Sequence, residues 1–298
     1  MKTKIKMKYI LICSIIIIGA LSGCVGKSTE ANNANDQYQN VEKNTAGTYK
    51  ATQNVQSNDL TFVLIGDPHI KSHNIDTGGN ARLAQIVNYT NTLNIDFAVF
   101  LGDMADDGKN KTDDIVVKIL NNMTHPYYVV AGNHDIFVSP QVFESHFGPM
   151  EHIENVKGYQ LLFAGIWNET VPDKNGKPVI KLHWSFDFNG VNKSMPTLMF
   201  LHGPTMGPPP DCSLCKWGEF FGYAESMQPE LDKFSNLKGV FSGHVHFDSN
   251  QTFNGVRYVT VNGLVTTNAG GISAVPSDNI GYITIKNGTL DYGLVQYN

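Results

Sequence analysis

Five short stretches of the chain carry side chains able to do chemistry together: "GDPH" at 66–69, "GDMAD" at 102–106, "GNHD" at 132–135, "MFLHGP" at 199–204 and "SGHVH" at 242–246. They supply the carboxylates of Asp67, Asp103 and Asp106, the amide of Asn133, and the imidazoles of His69, His134, His202, His244 and His246. Nitrogen and oxygen donors in this mixture suit a borderline divalent cation. A single zinc-like ion is closed by four protein ligands, so a set this large fits two ions sharing a bridging carboxylate. Residues at i and i+2 of an extended segment project from one face, so His244 and His246 are expected to address a common site. Taken singly, each motif also reads as a turn, because glycine tolerates unusual backbone angles and Asp or Asn bonds locally. Five such bursts in succession, each closing an apolar run, outweigh that simpler reading.

The apolar runs are the elements that must hold these groups in place. "LTFVLIG" (60–66), "DFAVFLG" (96–102) and "PYYVVAG" (126–132) have the continuous, β-branched texture of buried strands. Between them, 80–94 and 112–123 have helical spacing, the first through Leu83, Ile86, Val87 and Leu93, the second with acids in its first turn. The result is a βαβαβ unit with a parallel sheet and right-handed crossovers, and ligands of such sheets gather at the carboxyl ends of the strands. Ser139 followed by Pro140 predicts a capped helix running to Phe147. Beyond it the chain is strand-rich, with runs at 158–166, 180–188, 196–203, 239–244, 256–263 and 280–288 and one helix at about 229–237. The expected fold is α/β, with two mixed β-sheets packed as a sandwich and flanked by helices.

The series Asp-x-His, Gly-Asp-x-x-Asp, Gly-Asn-His-Asp, a lone strand-end His and Gly-His-x-His resembles the calcineurin-like metallophosphoesterase superfamily over about residues 60 to 250. The resemblance implies two divalent metal ions, Mn, Fe, Zn, Co or Ni. By it Asp67, His69 and His246 hold the first ion, Asn133, His202 and His244 the second, and Asp103 bridges both. It further implies that His134 is a catalytic histidine beside the phosphate, held by the carboxylate of Asp106. Two divalent ions set against two carboxylates and a bridging hydroxide leave a residual charge of about +1, which attracts a phosphate oxyanion. The implied reaction is hydrolysis of a phosphate mono- or diester by that hydroxide, with His134 stabilising the developing charge or protonating the leaving oxygen. One departure bears on the substrate. Some phosphoprotein phosphatases of this superfamily follow the Asp106 position with a phosphate-gripping arginine, whereas Asp107 stands here.

The 298-residue chain is 41% hydrophobic and 16% charged, which suits a soluble globular body. Its formal net charge of −5 argues against a surface built for nucleic acid. Lys2, Lys4, Lys6 and Lys8 precede an apolar run from Tyr9 to Leu21 that is short for a membrane span and ends in "LSGC". Residues 1–23 are therefore expected to be a lipoprotein signal peptide, with Cys24 lipidated and the protein anchored on the extracytoplasmic face of the cell membrane. The polar stretch 24–58 is expected to be a flexible tether, and 59–298 the functional domain. Cys212 and Cys215, in "CSLC", suit a small disulfide loop in an exported protein better than a zinc ribbon. His73 and the aromatics Trp217, Phe220, Phe221 and Tyr223 are candidate substrate contacts on loops. The expected partner is a phosphate-ester small molecule, with nucleotides among the candidates. Two other classes are weighed: a metal- or solute-binding lipoprotein without catalysis, for which a non-ligand His134–Asp106 pair would be superfluous, and an exported nuclease, which lacks an evident basic track.

Overall fold

The computed structural model describes residues 58–72, 79–172, 175–206, 224–264, 267–269, 272–274 and 277–297, together with 40–43 and 49–52 of the N-terminal stretch. The signal stretch, Cys24, His73, Cys212, Cys215, Trp217, Phe220, Phe221 and Tyr223 lie outside the described residues. The chain divides into two compact units, Met1–Gln56 and Ser57–Asn298. Within the first, β1 (Asn40–Lys43) pairs antiparallel with β2 (Tyr49–Thr52), so the stretch expected as a tether contains one local pairing.

The second unit is built on two sheets. One has five strands in the order β17 (Thr289–Gln296), β16 (Asn279–Lys286), β3 (Leu60–Ile65), β4 (Phe97–Phe100) and β5 (Tyr127–Val129). The β3, β4 and β5 strands run parallel, joined by α1 (Gly79–Thr90) and α2 (Asn110–Leu120), as the βαβαβ reading requires. The other has six strands in the order β12 (Ser249–Phe253), β13 (Val256–Thr260), β11 (Leu237–Ser242), β10 (Thr197–Phe200), β7 (Tyr159–Phe163) and β6 (His152–Val156). Four of its strands, β7, β10, β11 and β13, are parallel and the outer two antiparallel. Both sheets are mixed, in agreement with the expected fold class.

Period-two alternation explains how the sheets pack. Leu60, Phe62 and Leu64 of β3 join Phe97 and Val99 of β4 and Ile283 and Ile285 of β16 in one cluster with Leu161, Phe163, Leu198, Phe200, Phe241 and Val259 of the six-stranded sheet. The intervening Val63 and Ile65 belong instead to a second cluster with Leu83, Ile86 and Val87 of α1 and Val116 and Leu120 of α2. Phe62 stacks on Phe97 at 4.8 Å and meets Phe241 edge-on at 5.5 Å, so aromatic rings span the two sheets.

The helix at 140–147 forms as expected: α3 (Pro140–Phe147) has Ser139 as N-cap, its side chain accepting the Val142 N–H at 3.4 Å. The helix expected at 229–237 is cut to Gln228–Leu231, because Leu237 already begins β11 beside Thr197 of β10. Two remaining strands, β8 (Gly165–Pro172) and β9 (Pro178–Ser185), form a separate antiparallel pair that brings Trp184 behind the site. A further short pair, β14 (Thr267–Ala269) and β15 (Ile272–Ala274), lies between β13 and β16 in sequence.

Candidate metal centre

Each residue of the five motifs named for metal binding or catalysis lies just past the carboxyl end of a parallel strand: Asp67 and His69 after β3, Asp103 and Asp106 after β4, Asn133 and His134 after β5, His202 after β10, His244 and His246 after β11. The loops after β3 and β4 zip together beyond their strands, with the His69 N–H donating to the Asp103 carbonyl and the Ile70 N–H to that of Met104, both at 2.9 Å. Cross-sheet bonds then close the rim. The His244 N–H donates to both Asp67 oxygens, at 3.0 and 3.1 Å, and His202 Nδ1 lies 2.6 Å from the Leu101 carbonyl.

Three groups of ligating atoms result, each within 4.8 Å: Asp67, His69, Asp103 and His246; Asp103, His202 and His244; and His69, Asp106 and His134. In the first, His69 Nε2 and His246 Nε2 stand 3.2 Å apart. In the second, His244 Nδ1 stands 3.1 Å from His202 Nε2, which also lies 3.2 Å from the amide oxygen of Asn133. Asp103 belongs to both groups, and its Oδ2 is 3.5 Å from His69 Nε2 and 3.4 Å from His202 Nε2. Donation by His202 Nδ1 to the Leu101 carbonyl fixes the ring's orientation and turns Nε2 toward these groups.

The strand-face argument for His244 and His246 fails in an informative way. Both follow the end of β11, at φ +72° and +51°, and the left-handed backbone sends one ring to each group instead of both to one face. Asp67, His69 and Asp103 also have positive φ. The three other non-glycine residues with positive φ among the described residues, Lys157, Asn254 and Asn287, each precede a glycine in a two-residue hairpin turn. Outside those turns, unfavourable backbone is confined to the candidate centre, as expected where geometry serves function at a local cost of about 1–3 kcal/mol. Close approach explains two motif glycines, Gly132 and Gly243, and Gly263 beyond β13. A Cβ at Gly132 would lie 2.2 Å from Asp103 Oδ1, one at Gly243 2.5 Å from Asp67 Oδ2, and one at Gly263 2.6 Å from His246 Nδ1.

The electrostatics demand positive charge. Burial alone would push the Asp103 carboxyl up, but His202, His69 and His134 hold it well below the usual carboxylate range. Burial would drive His202 down, yet Asp103 and Asp67 pull it up to about 9. Two buried carboxylates, Asp67 and Asp103, facing imidazole nitrogens at 3.4–3.8 Å make a pocket that fits a cation. The donor set, the paired imidazole nitrogens and this field therefore all suit divalent metal.

The Asp106–His134 pair differs from the expectation. The ring of His134 meets the backbone carbonyl of Asp106, Nδ1 to O at 2.9 Å. The Asp106 carboxylate points elsewhere, 3.4 Å from His69 Nδ1 and 3.5 Å from Lys71 Nζ. Asp107, at the position of the missing arginine, is paired with Lys109 at 2.9 Å. Sequence reasoning also passed over Asp135, although it stands in the "GNHD" motif. It is buried and accepts the N–H groups of Ala105 and Gly132 at 2.9 and 2.8 Å, fastening the β4 loop to the β5 loop. Burial, reinforced by the charge of Asp103, pushes its carboxyl up to about 8. Trp184 gave no signal in the sequence beyond strand texture; its ring backs His244 at 5.6 Å and His202 at 6.1 Å.

The family model described as calcineurin-like phosphoesterase matches residues 60–248, more than half of the chain. The chain belongs to the calcineurin-like phosphoesterase family. This phosphoesterase is 26% identical over 194 residues to a probable cyclic nucleotide phosphodiesterase of Fibrobacter succinogenes, covering 61% of this chain and 69% of that one. Its fold is similar to that of a dimetal phosphatase from Danio rerio, with a TM-score of 0.53, 17% identity and coverage of 80% of this chain and 99% of that one. It is also similar in fold to the purple acid phosphatase PPD1 of yellow lupin (Lupinus luteus), with a TM-score of 0.52 and 14% identity, covering 86% of this chain but only 56% of the lupin enzyme. Family membership and the Asp/His groups together support a phosphoester hydrolase that binds divalent metal.

Proposed function

We propose that this phosphoesterase uses two divalent cations to hydrolyse phosphate mono- or diesters. The observation that carries the reading is the placement of one oxygen, Asp103 Oδ2, about equally far from His69 Nε2 and His202 Nε2. One carboxylate facing two separate imidazole groups is the arrangement of a shared ligand. On this reading Asp67, His69 and His246 hold one ion, Asn133, His202 and His244 hold the other, and Asp103 belongs to both. Ions bound there supply a water acid enough to react near neutral pH and a clamp on the phosphoryl oxygens.

The chain's own residues do the rest. Asp67 is held in register by the His244 N–H, and Asp103 by the His134 N–H, which donates to Oδ1 at 2.9 Å. The Asp106 carbonyl accepts a hydrogen bond from His134 Nδ1–H, which aims Nε2 of the ring, when that nitrogen is also protonated, to give its proton to the departing ester oxygen and leave the ring neutral. The relative named as a probable cyclic nucleotide phosphodiesterase supports diesters, and nucleotides among them, as the substrates to try first. The Lys-rich start, the apolar run and "LSGC" support export and lipid attachment at Cys24.

The test is to measure bound metal and the hydrolysis of a chromogenic phosphate diester and monoester on wild type, Asp103→Asn and His134→Ala. Wild type is expected to carry two ions per chain and to turn over. Asp103→Asn should lose both metal and turnover, while His134→Ala should keep its metal and lose about 10²–10⁴-fold in rate. A wild type that binds two ions and hydrolyses neither ester would replace the enzyme reading with that of a metal-binding lipoprotein.

A further inference from the structure

The segment that follows the candidate centre departs from ordinary burial. In "DIFVSP", Ile136 is buried, whereas Phe137 and Val138 are 57% and 54% exposed, the two highest values among the exposed large apolar residues described. Nor is the segment loose. The Phe137 N–H donates to the His134 carbonyl at 3.3 Å on one side, and Ser139 caps α3 on the other. The Phe137 ring stands 4.5 Å from the His134 ring at an interplanar angle of 44°, so the two rings share one edge of the centre. Scattered exposed apolar residues need no explanation, but an adjacent pair fixed beside a proton-donating histidine does.

Resting on the phosphoesterase reading above, we propose that Phe137, with Val138, is the seat of the ester's leaving group, and that this group is a nucleoside whose planar base stacks on Phe137. His134 delivers its proton to the leaving oxygen, so whatever that oxygen carries must extend past His134. Phe137 is the ring beside it. An exposed phenyl face held at a set angle accepts a planar ring by offset stacking, and such stacking tolerates any base because each has a π-face. A sugar or short alkyl group gains little from the same surface.

The experiment is calorimetric binding to the metal-loaded, full-length protein, with AMP and ribose 5-phosphate as probes. Both present the same phosphate, and only AMP presents a base. Wild type is expected to bind AMP about 10-fold or more tightly than ribose 5-phosphate. Phe137→Ala should erase most of that difference by weakening AMP alone, and Phe137→Trp should preserve it. Equal affinity of wild type for the two probes would overturn the proposal, and so would an equal loss of both in Phe137→Ala. The two readings can fail separately. A base preference carried by Phe137 without hydrolysis would sink only the phosphoesterase reading, and hydrolysis without that preference would sink only the stacking seat.

Discussion

Asp106 shows how much can turn on which atom of a residue does the work. Its carbonyl holds the His134 ring, and its carboxylate sits against the outer nitrogen of His69. A side-chain substitution removes the second contact and leaves the first intact. Asp106→Asn is therefore expected to act through His69, loosening metal by about 10–100-fold, as removal of the carboxylate beside a metal-ligating histidine does. The turnover of the saturated enzyme and its dependence on pH should stay close to wild type. Metal titration alongside a kcat–pH profile checks this. Unchanged metal affinity with a shifted profile would instead put the carboxylate on His134. Lys71, 3.5 Å from the same carboxylate, holds Asp106 below the usual carboxylate range after the larger effect of His69.

At the scale of elements, the helices carry a second acid whose burial works against it. Asp113 lies in the first turn of α2, where the sequence reading counted it as a favourable partner of the helix dipole. The structure buries it against α3, with neither carboxylate oxygen hydrogen-bonded and His146 Nδ1 3.8 Å away. Burial pushes its carboxyl up to about 6, against the pull of His146 and with the repulsion of Asp107 and Asp114. A carboxyl whose pKa is higher folded than unfolded contributes its stability below the unfolded value of about 4, and loses it as pH rises through the folded value. The α2–α3 contact should therefore weaken as pH rises from about 4 through about 6. Asp113→Asn is expected to raise the thermal midpoint at pH 7.5 by a few degrees, at about 2–4 °C per kcal/mol for a domain of this size, and to have much less effect at about pH 4. Midpoints that fall at both pH values would show that His146 stabilises the carboxylate more than burial disfavours it.

For the molecule as a whole, the residues at the strand ends were legible before the fold was seen, because a glycine followed by Asp, Asn or His after an apolar run marks both a strand end and a donor. The sharing of those donors between two groups was legible only through the family resemblance, and strand alternation did not give it. It depends on left-handed backbone at Asp67, His69, Asp103, His244 and His246, which alternation cannot anticipate. The hairpins at Asn254–Gly255 and Asn287–Gly288 were signalled by their Asn-Gly pairs and passed over, so β12 and β17 were missed. How the protein is held in place belongs to this scale too. No helix among the described residues is long and apolar enough to cross a membrane. Attachment through a lipidated Cys24 takes more than one acyl chain to be stable, each buried methylene adding about 0.8 kcal/mol. Produced with its own leader in a host that processes lipoproteins, the wild type is expected in the membrane fraction, released by detergent, with acyl mass on the peptide that begins at Cys24. Cys24→Ser should move the protein to the soluble fraction with the same specific activity, because the candidate centre draws only on residues from Asp67 to His246. A Cys24→Ser protein that still sediments with membranes would show that something other than lipid on this cysteine holds it there.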